Sequence, residues 1–258
     1  MYFEILKGIL IPFIGTSLGA ACVFFIKKGL KIGLKEAISG FAAGVMIAAS
    51  VWSLLIPAME YESSKILGMF SFLPAVTGLW LGIVFLLLID KILPETDFLP
   101  TEKSHLSENK MLCLSLGIHN LPEGMAVGVA YAAFLSTQSA DALSGALALS
   151  LGIAVQNFPE GAIISMPLAS DGIKKGKAFL YGVLSGIIEP FGAALTVLAL
   201  SFFLPVLPYL LGFAAGAMIY AMIKELMPTI TLNKNSNIGI LFFALGFSFM
   251  MMLDVALG

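Results

Sequence analysis

Residues 72–89 read FLPAVTGLWLGIVFLLLI, a run without a single charged side chain. A helix that crosses the hydrocarbon of a bilayer needs about 20 mainly apolar residues. Seven more blocks of this kind lie outward from it: Ile5–Ile26, Ala37–Ala58, Met111–Phe134, Ala142–Pro167, Ala178–Leu200, Val206–Met227 and Ile238–Leu257. The composition agrees. Of 258 residues, 59% are hydrophobic and 12% charged, where soluble domains run near 45–50% and about 25%. The apolar residues come in long blocks and do not alternate, which excludes a transmembrane barrel. The expected fold is therefore an all-α polytopic membrane protein, a single domain over 1–258 with eight transmembrane helices. A net charge of −2 with no basic patch excludes a nucleic-acid partner. Cys22 and Cys113 lie inside apolar stretches and read as buried small hydrophobes, not as a disulfide.

The lysines set the expected orientation. Lys27, Lys28, Lys31 and Lys35 lie between the first two blocks, and Lys91, Lys103 and Lys110 between the third and fourth. Lys174, Lys175 and Lys177 lie between the fifth and sixth, and Lys234 between the last two. The alternate side carries only Lys7 and Lys65. Positive charge concentrates in cytoplasmic loops, so both termini are expected outside, in the cell (plasma, inner) membrane. The first block is not a cleavable signal, since Glu4 accompanies Lys7 before it and its other lysines follow it. The loop from about Asp90 to Lys110 is then cytoplasmic, and its Pro, Glu, Lys and Ser content reads as a solvated linker.

Two internal echoes organise the chain. Ala42–Leu54 in block two and Ala214–Leu226 in block seven match at seven of thirteen positions. Given the orientation, these helices run in opposite directions, as in an inverted repeat of helices 1–3 and 6–8 around helices 4 and 5. Such a 3+2+3 arrangement is a common scaffold for alternating access with a midplane site. The second echo joins blocks four and five: His119-Asn120-Leu121-Pro122-Glu123-Gly124 against Gln156-Asn157-Phe158-Pro159-Glu160-Gly161.

These echoes carry polar groups where they are costly. An ionisable residue at the centre of a spanning helix costs about 2.5–3.5 kcal/mol on insertion scales and marks a functional candidate. His119 and Glu123 stand four apart and share a helix face, as do Gln156 and Glu160. Block six adds Glu189 before Pro190. Pro122, Pro159 and Pro190 each remove a donor and release the carbonyls of Ile118, Val155 and Gly186 from the ladder. Carboxylate, imidazole and amide oxygen together suit a borderline divalent ion such as Zn²⁺, Fe²⁺ or Mn²⁺. Clustered carboxylates without a lysine need a cation or protons to offset their repulsion. Glu123 and Glu160 are placed to bridge two cations, one served by His119 and Gln156, the other by Asn120, Asn157 and Glu189.

The HNxPEG motif at His119–Gly124 and its partner in helix five resemble the signature of the ZIP (Zrt/Irt-like) divalent-metal transporters, and the chain is most similar to their prokaryotic, GufA-like branch. The resemblance spans the whole chain. It implies uptake of Zn²⁺, with Fe²⁺, Mn²⁺ or Cd²⁺ in some members, into the cytoplasm through a binuclear site, in a homodimer without organic cofactor. Helices one, four, five and six would move against two, three, seven and eight. It assigns His119, Glu123, Gln156 and Glu160 to one metal, and Asn120, Glu123, Asn157, Glu160 and Glu189 to the other. Asn157 stands where close relatives can carry Asp, which weakens the second site. The third loop holds His105 with Asp97, Glu102 and Glu108 but no histidine run. The resemblance also assigns Met46, Ser53 and Glu60 to the outer approach, and Glu225, Asp90 and His105 to the exit. Asp254 reads as a plain interfacial carboxylate. The alternatives are a divalent-cation channel and an intramembrane metal-dependent hydrolase. The hydrolase is disfavoured because no HExxH occurs and the chain has only 2 histidines, so the protein is expected not to be an enzyme. No nucleotide-binding motif supports ATP coupling.

Overall fold

The computed structural model describes residues 2–25, 32–61, 68–92, 106–170, 172–199, 206–230 and 236–257, and every extended element among them is helical. Uninterrupted apolar runs impose this, because a backbone in hydrocarbon must satisfy its own hydrogen bonds. The elements are α1 (Tyr2–Ala21), α2 (Ile32–Ala49), α3 (Ile56–Glu60), α4 (Leu73–Ile92), α5 (Leu106–Thr137) and α6 (Ala140–Ser170). They continue with α7 (Lys175–Gly186), α8 (Ile188–Leu198), α9 (Leu207–Ala221), α10 (Met227–Ile230) and α11 (Ile238–Leu257).

Seven helical stretches among the described residues are long and apolar enough to cross a membrane: Phe3–Phe24, Ile32–Glu60, Gly68–Lys91, Ala140–Met166, Lys175–Leu198, Leu207–Ile230 and Ile238–Ala256. Helix α5 is longer than any of these but is not among them. It starts at Leu106, inside the stretch read as a loop, so the polar turn Ser107–Lys110 continues the helix instead of preceding it. His105 and the rest of residues 93–105 lie outside the described residues.

Four helix pairs make the most extensive contacts: α2 with α11, α1 with α6, α4 with α9, and α5 with α8. Glycines set the approach in each. A Cβ on Gly40 or Gly44 would strike the backbone of α11, and one on Gly246 the backbone of α2. Gly78 and Gly82 meet α9 in the same way, and Gly212 and Gly216 meet α4. Gly15 and Gly19 lie on the backbone of α6, and Gly124 on that of α8. Small residues four apart let helices touch backbone to backbone, which is how packing is gained where lipid removes the hydrophobic drive. In terms of the eight sequence blocks the pairs are two–eight, one–five, three–seven and four–six. Exchanging one with six, two with seven, three with eight and four with five maps this set of pairs onto itself.

The repeated helices share a further irregularity. Between α2 and α3 the backbone forms a π-helical segment over Ser50–Leu55, and between α9 and α10 another over Met222–Leu226. In the alignment of Ala42–Leu54 with Ala214–Leu226, Ser50 falls on Met222 and Leu54 on Leu226, so the two irregularities coincide. Each is followed at the second residue by a proline, Pro57 or Pro228. A proline has no N–H to hold the α ladder over the preceding turn. Block six is broken at Ile187, between α7 and α8, where the N–H of Ile187 reaches the carbonyl of Leu184 at 3.4 Å. Pro122 and Pro159, by contrast, sit inside helices that run through them.

Candidate metal centre

The candidate site is assembled from α1, α5, α6 and α8. Asn120 and Glu123 are in α5, Gln156, Asn157 and Glu160 in α6, and Glu189 in the first turn of α8, just past the break. Asn120, Glu123, Gln156, Asn157 and Glu189 are each at most 3% exposed. Glu160 is half-buried. The glycines of the motifs allow this closeness: a Cβ on Gly124 would strike the backbone of Glu189, and one on Gly161 the backbone of Thr16.

Two buried carboxylates are each held by a donor from a different helix. Gln156 donates Nε2–H to Oε1 of Glu123 at 2.5 Å. Glu189 Oε1 accepts from Thr16 Oγ1 at 2.7 Å and from Asn120 Nδ2 at 3.2 Å. Asn157 lies beside Glu189. Against these bonds stand buried atoms that have no hydrogen-bond partner: Oε1 of Gln156, both amide atoms of Asn157, and Oε2 of Glu189. A buried polar atom left unmade costs about 1–3 kcal/mol, and such an atom calls for an explanation such as a bound ion. All of these except the amide nitrogen of Asn157 are oxygen donors suited to a divalent cation.

Sequence reading placed seven residues in one cluster. The structure brings Asn120 to Glu189, Gln156 to Glu123 and Asn157 beside Glu189. The side chains of His119 and Glu225 lie outside the described residues, as does His105. Among the described residues, no three or more His, Cys, Asp or Glu side chains gather closely enough to hold a metal by themselves. The amides therefore matter to the composition of the site, and so does Thr16, which sequence reading passed over.

The outer and inner candidates are distributed along the paired helices. Met46 is buried in α2, and Glu60 is exposed at the end of α3. Ser53, inside the first π segment, donates to Asp254 Oδ1 at 2.7 Å. Asp254 is thus not a plain interfacial carboxylate: it is partly buried and fastens α11 to the π segment, because Ser53 is turned toward it. Asp90, near the end of α4, accepts from the Tyr220 hydroxyl at 2.6 Å and pairs with Lys224 Nζ at 2.6 Å. Lys224 belongs to the second π segment. Each π segment is therefore tied, at or beside it, to an aspartate near the C-terminal end of its paired helix. Sequence reading missed Tyr220 and Lys224. The signal available was that Asp90 and Asp254 both end the helices that pack on the repeat.

Comparison with known proteins bears on this centre. Residues 101–254 match the family model described as ZIP Zinc transporter. The chain is similar to zinc transporter ZIP11 of Xenopus tropicalis, 34% identical over 98% of this chain and 97% of the relative. It is 35% identical to zinc transporter ZIPB of Bordetella bronchiseptica, over 95% of this chain and 79% of the relative. It is 32% identical to zinc transporter GufA of Myxococcus xanthus, over 85% of each chain.

Proposed function

The chain belongs to the ZIP zinc transporter family, and from that premise we propose that it carries Zn²⁺, or a similar divalent transition-metal ion, into the cytoplasm. The family is one of transporters, not of enzymes. The proposed carrier has eight membrane spans, both termini outside, and helices 1–3 and 6–8 related as an inverted repeat around helices 4 and 5. The coincident π segments and the self-mapping set of helix pairs support that reading. Alternating exposure of a midplane centre follows from such a repeat. The substrate ion is held by His119, Glu123, Gln156 and Glu160, with a weaker second position at Asn120, Glu123, Asn157, Glu160 and Glu189.

The observation that carries the proposal is the set of buried oxygens without partners, Gln156 Oε1, Asn157 Oδ1 and Glu189 Oε2, beside two buried carboxylates. A bound divalent cation would offset their desolvation. The test is uptake of radiolabelled Zn²⁺ into proteoliposomes holding the purified protein, with Fe²⁺, Mn²⁺ and Cd²⁺ as competitors. Saturable uptake that these ions inhibit is the expected result. Liposomes that accumulate no more label than protein-free controls overturn it. A flux that stays linear with concentration points instead to the channel reading.

A further inference from the structure

We propose that Thr16 is a specificity-determining residue that makes Glu189 a one-oxygen ligand. The proposal rests on the reading of Glu189 as a substrate ligand. It extends that reading to a residue of α1 and to the choice among cations.

Thr16 is fully buried in the last third of α1. A threonine hydroxyl in a helix ordinarily bonds back to the carbonyl four residues earlier. Here Pro12 O is 3.4 Å away while Glu189 Oε1, on another helix, is 2.7 Å away. The hydroxyl has one proton, and the shorter, charge-assisted bond takes it. The surroundings make room for this contact. A Cβ on Gly186 would press on the Thr16 side chain and on Glu189 Oε1, and one on Gly161 would strike the Thr16 carbonyl. Asn120 adds a second donor to the same oxygen. The result is a divided carboxylate: Oε1 takes two donors, and Oε2, with the Asn157 amide beside the group, takes none in hydrogen-bond geometry.

The division has a chemical consequence. Ca²⁺ takes six to eight oxygens, often with both oxygens of a carboxylate. Zn²⁺ settles for about four ligands, one atom from each. A glutamate with one oxygen already engaged offers a single lone-pair face, which suits the ion of low coordination number. Without Thr16, Oε1 keeps only the longer bond from Asn120 and is freer to turn to the cation beside Oε2, a gain greatest for Ca²⁺. Thr16 thus discriminates through a second residue and touches no ion itself.

Thr16→Val keeps the branched shape and deletes the hydroxyl, while Thr16→Ser keeps the hydroxyl. In proteoliposomes, excess Ca²⁺ should inhibit Zn²⁺ uptake by Thr16→Val at concentrations about tenfold lower than for the wild type, the ratio that losing one hydrogen bond to a charged group corresponds to. Thr16→Ser should match the wild type. Unchanged Ca²⁺ inhibition in a folded, active Thr16→Val overturns the proposal. A separate measurement on the wild-type protein covers the case in which Thr16→Val does not fold. Infrared difference spectra on addition of Zn²⁺, compared with those of Glu189→Gln, isolate the Glu189 carboxylate bands. Wide splitting of those bands means one-oxygen coordination and supports the proposal. Narrow splitting, or no band that depends on Glu189, overturns it. The infrared arm requires binding and not flux, so a wild type that binds but does not transport would count against the transport reading alone.

Discussion

Glu123 and Glu189 show the same device in two helices, since each gives one oxygen to a donor on a neighbouring helix. The donor fixes the carboxylate, and the amide that holds Glu123 keeps its own oxygen unengaged. Replacing Glu123 or Glu160 by Ala should abolish metal uptake while leaving a folded protein by size-exclusion chromatography in detergent. Wild-type uptake rates in either variant would refute the assignment. Asn157→Asp adds a charge beside Glu189 and should tighten the weaker metal position, read by calorimetry as a lower Kd for a second ion. Binding of a single ion with unchanged affinity in both forms would count against two positions. The polar members of the doubled motif were legible in sequence, because Asn, Pro and Glu rarely recur by chance in apolar helices. Thr16 was not. A lone threonine in an apolar run reads as a helix residue bonded to its own backbone, and only the approach of α8 shows where the hydroxyl goes.

At the scale of the element, seven of the expected spans were legible from apolar length, but the π segments were not. A π turn inserts one residue into the ladder without changing composition. The sequence does record its place indirectly, since the longest run of mismatches between the two copies is Ser50–Ser53 against Met222–Glu225. The prolines misled in part: Pro190 accompanies a break, whereas Pro122 and Pro159 are absorbed within α5 and α6. Deleting Val51 should remove the extra residue of the π turn, restore an α ladder and re-aim Ser53 while leaving the helix beyond in phase. Ser53 then loses Asp254, and uptake should fall to background with helix content by circular dichroism unchanged. Retained uptake would show that the segment is dispensable. The glycine contacts predict stability. Gly216→Val drives a side chain into the backbone of Leu79 and should lower the detergent Tm, an overpacking cost of about 1–3 kcal/mol. Gly176→Ala, where the space is open, should leave it nearly unchanged.

For the whole molecule, the lysine distribution predicts sidedness that membrane-impermeant thiol labelling can read. In a Cys22→Ala, Cys113→Ala background, a cysteine at Glu60 should label from outside intact cells, and one at Lys103 only after permeabilisation. The reverse pattern would invert the proposed orientation. The two π segments are each fastened to an aspartate, but the fastenings differ in charge. At one end Asp254 accepts from a neutral hydroxyl; at the other Asp90 meets an ammonium and a phenol. A carrier built from two similar halves would rest with its two facing states equally occupied if its fastenings were equal. In the proposed carrier they are unequal, so its resting occupancy should be tilted. The tilt is partly ionic on one side only, because Lys224 is 42% exposed and within reach of salt. Raising ionic strength on the side proposed as cytoplasmic should therefore redistribute the two states, and the same change on the opposite side should leave them where they were.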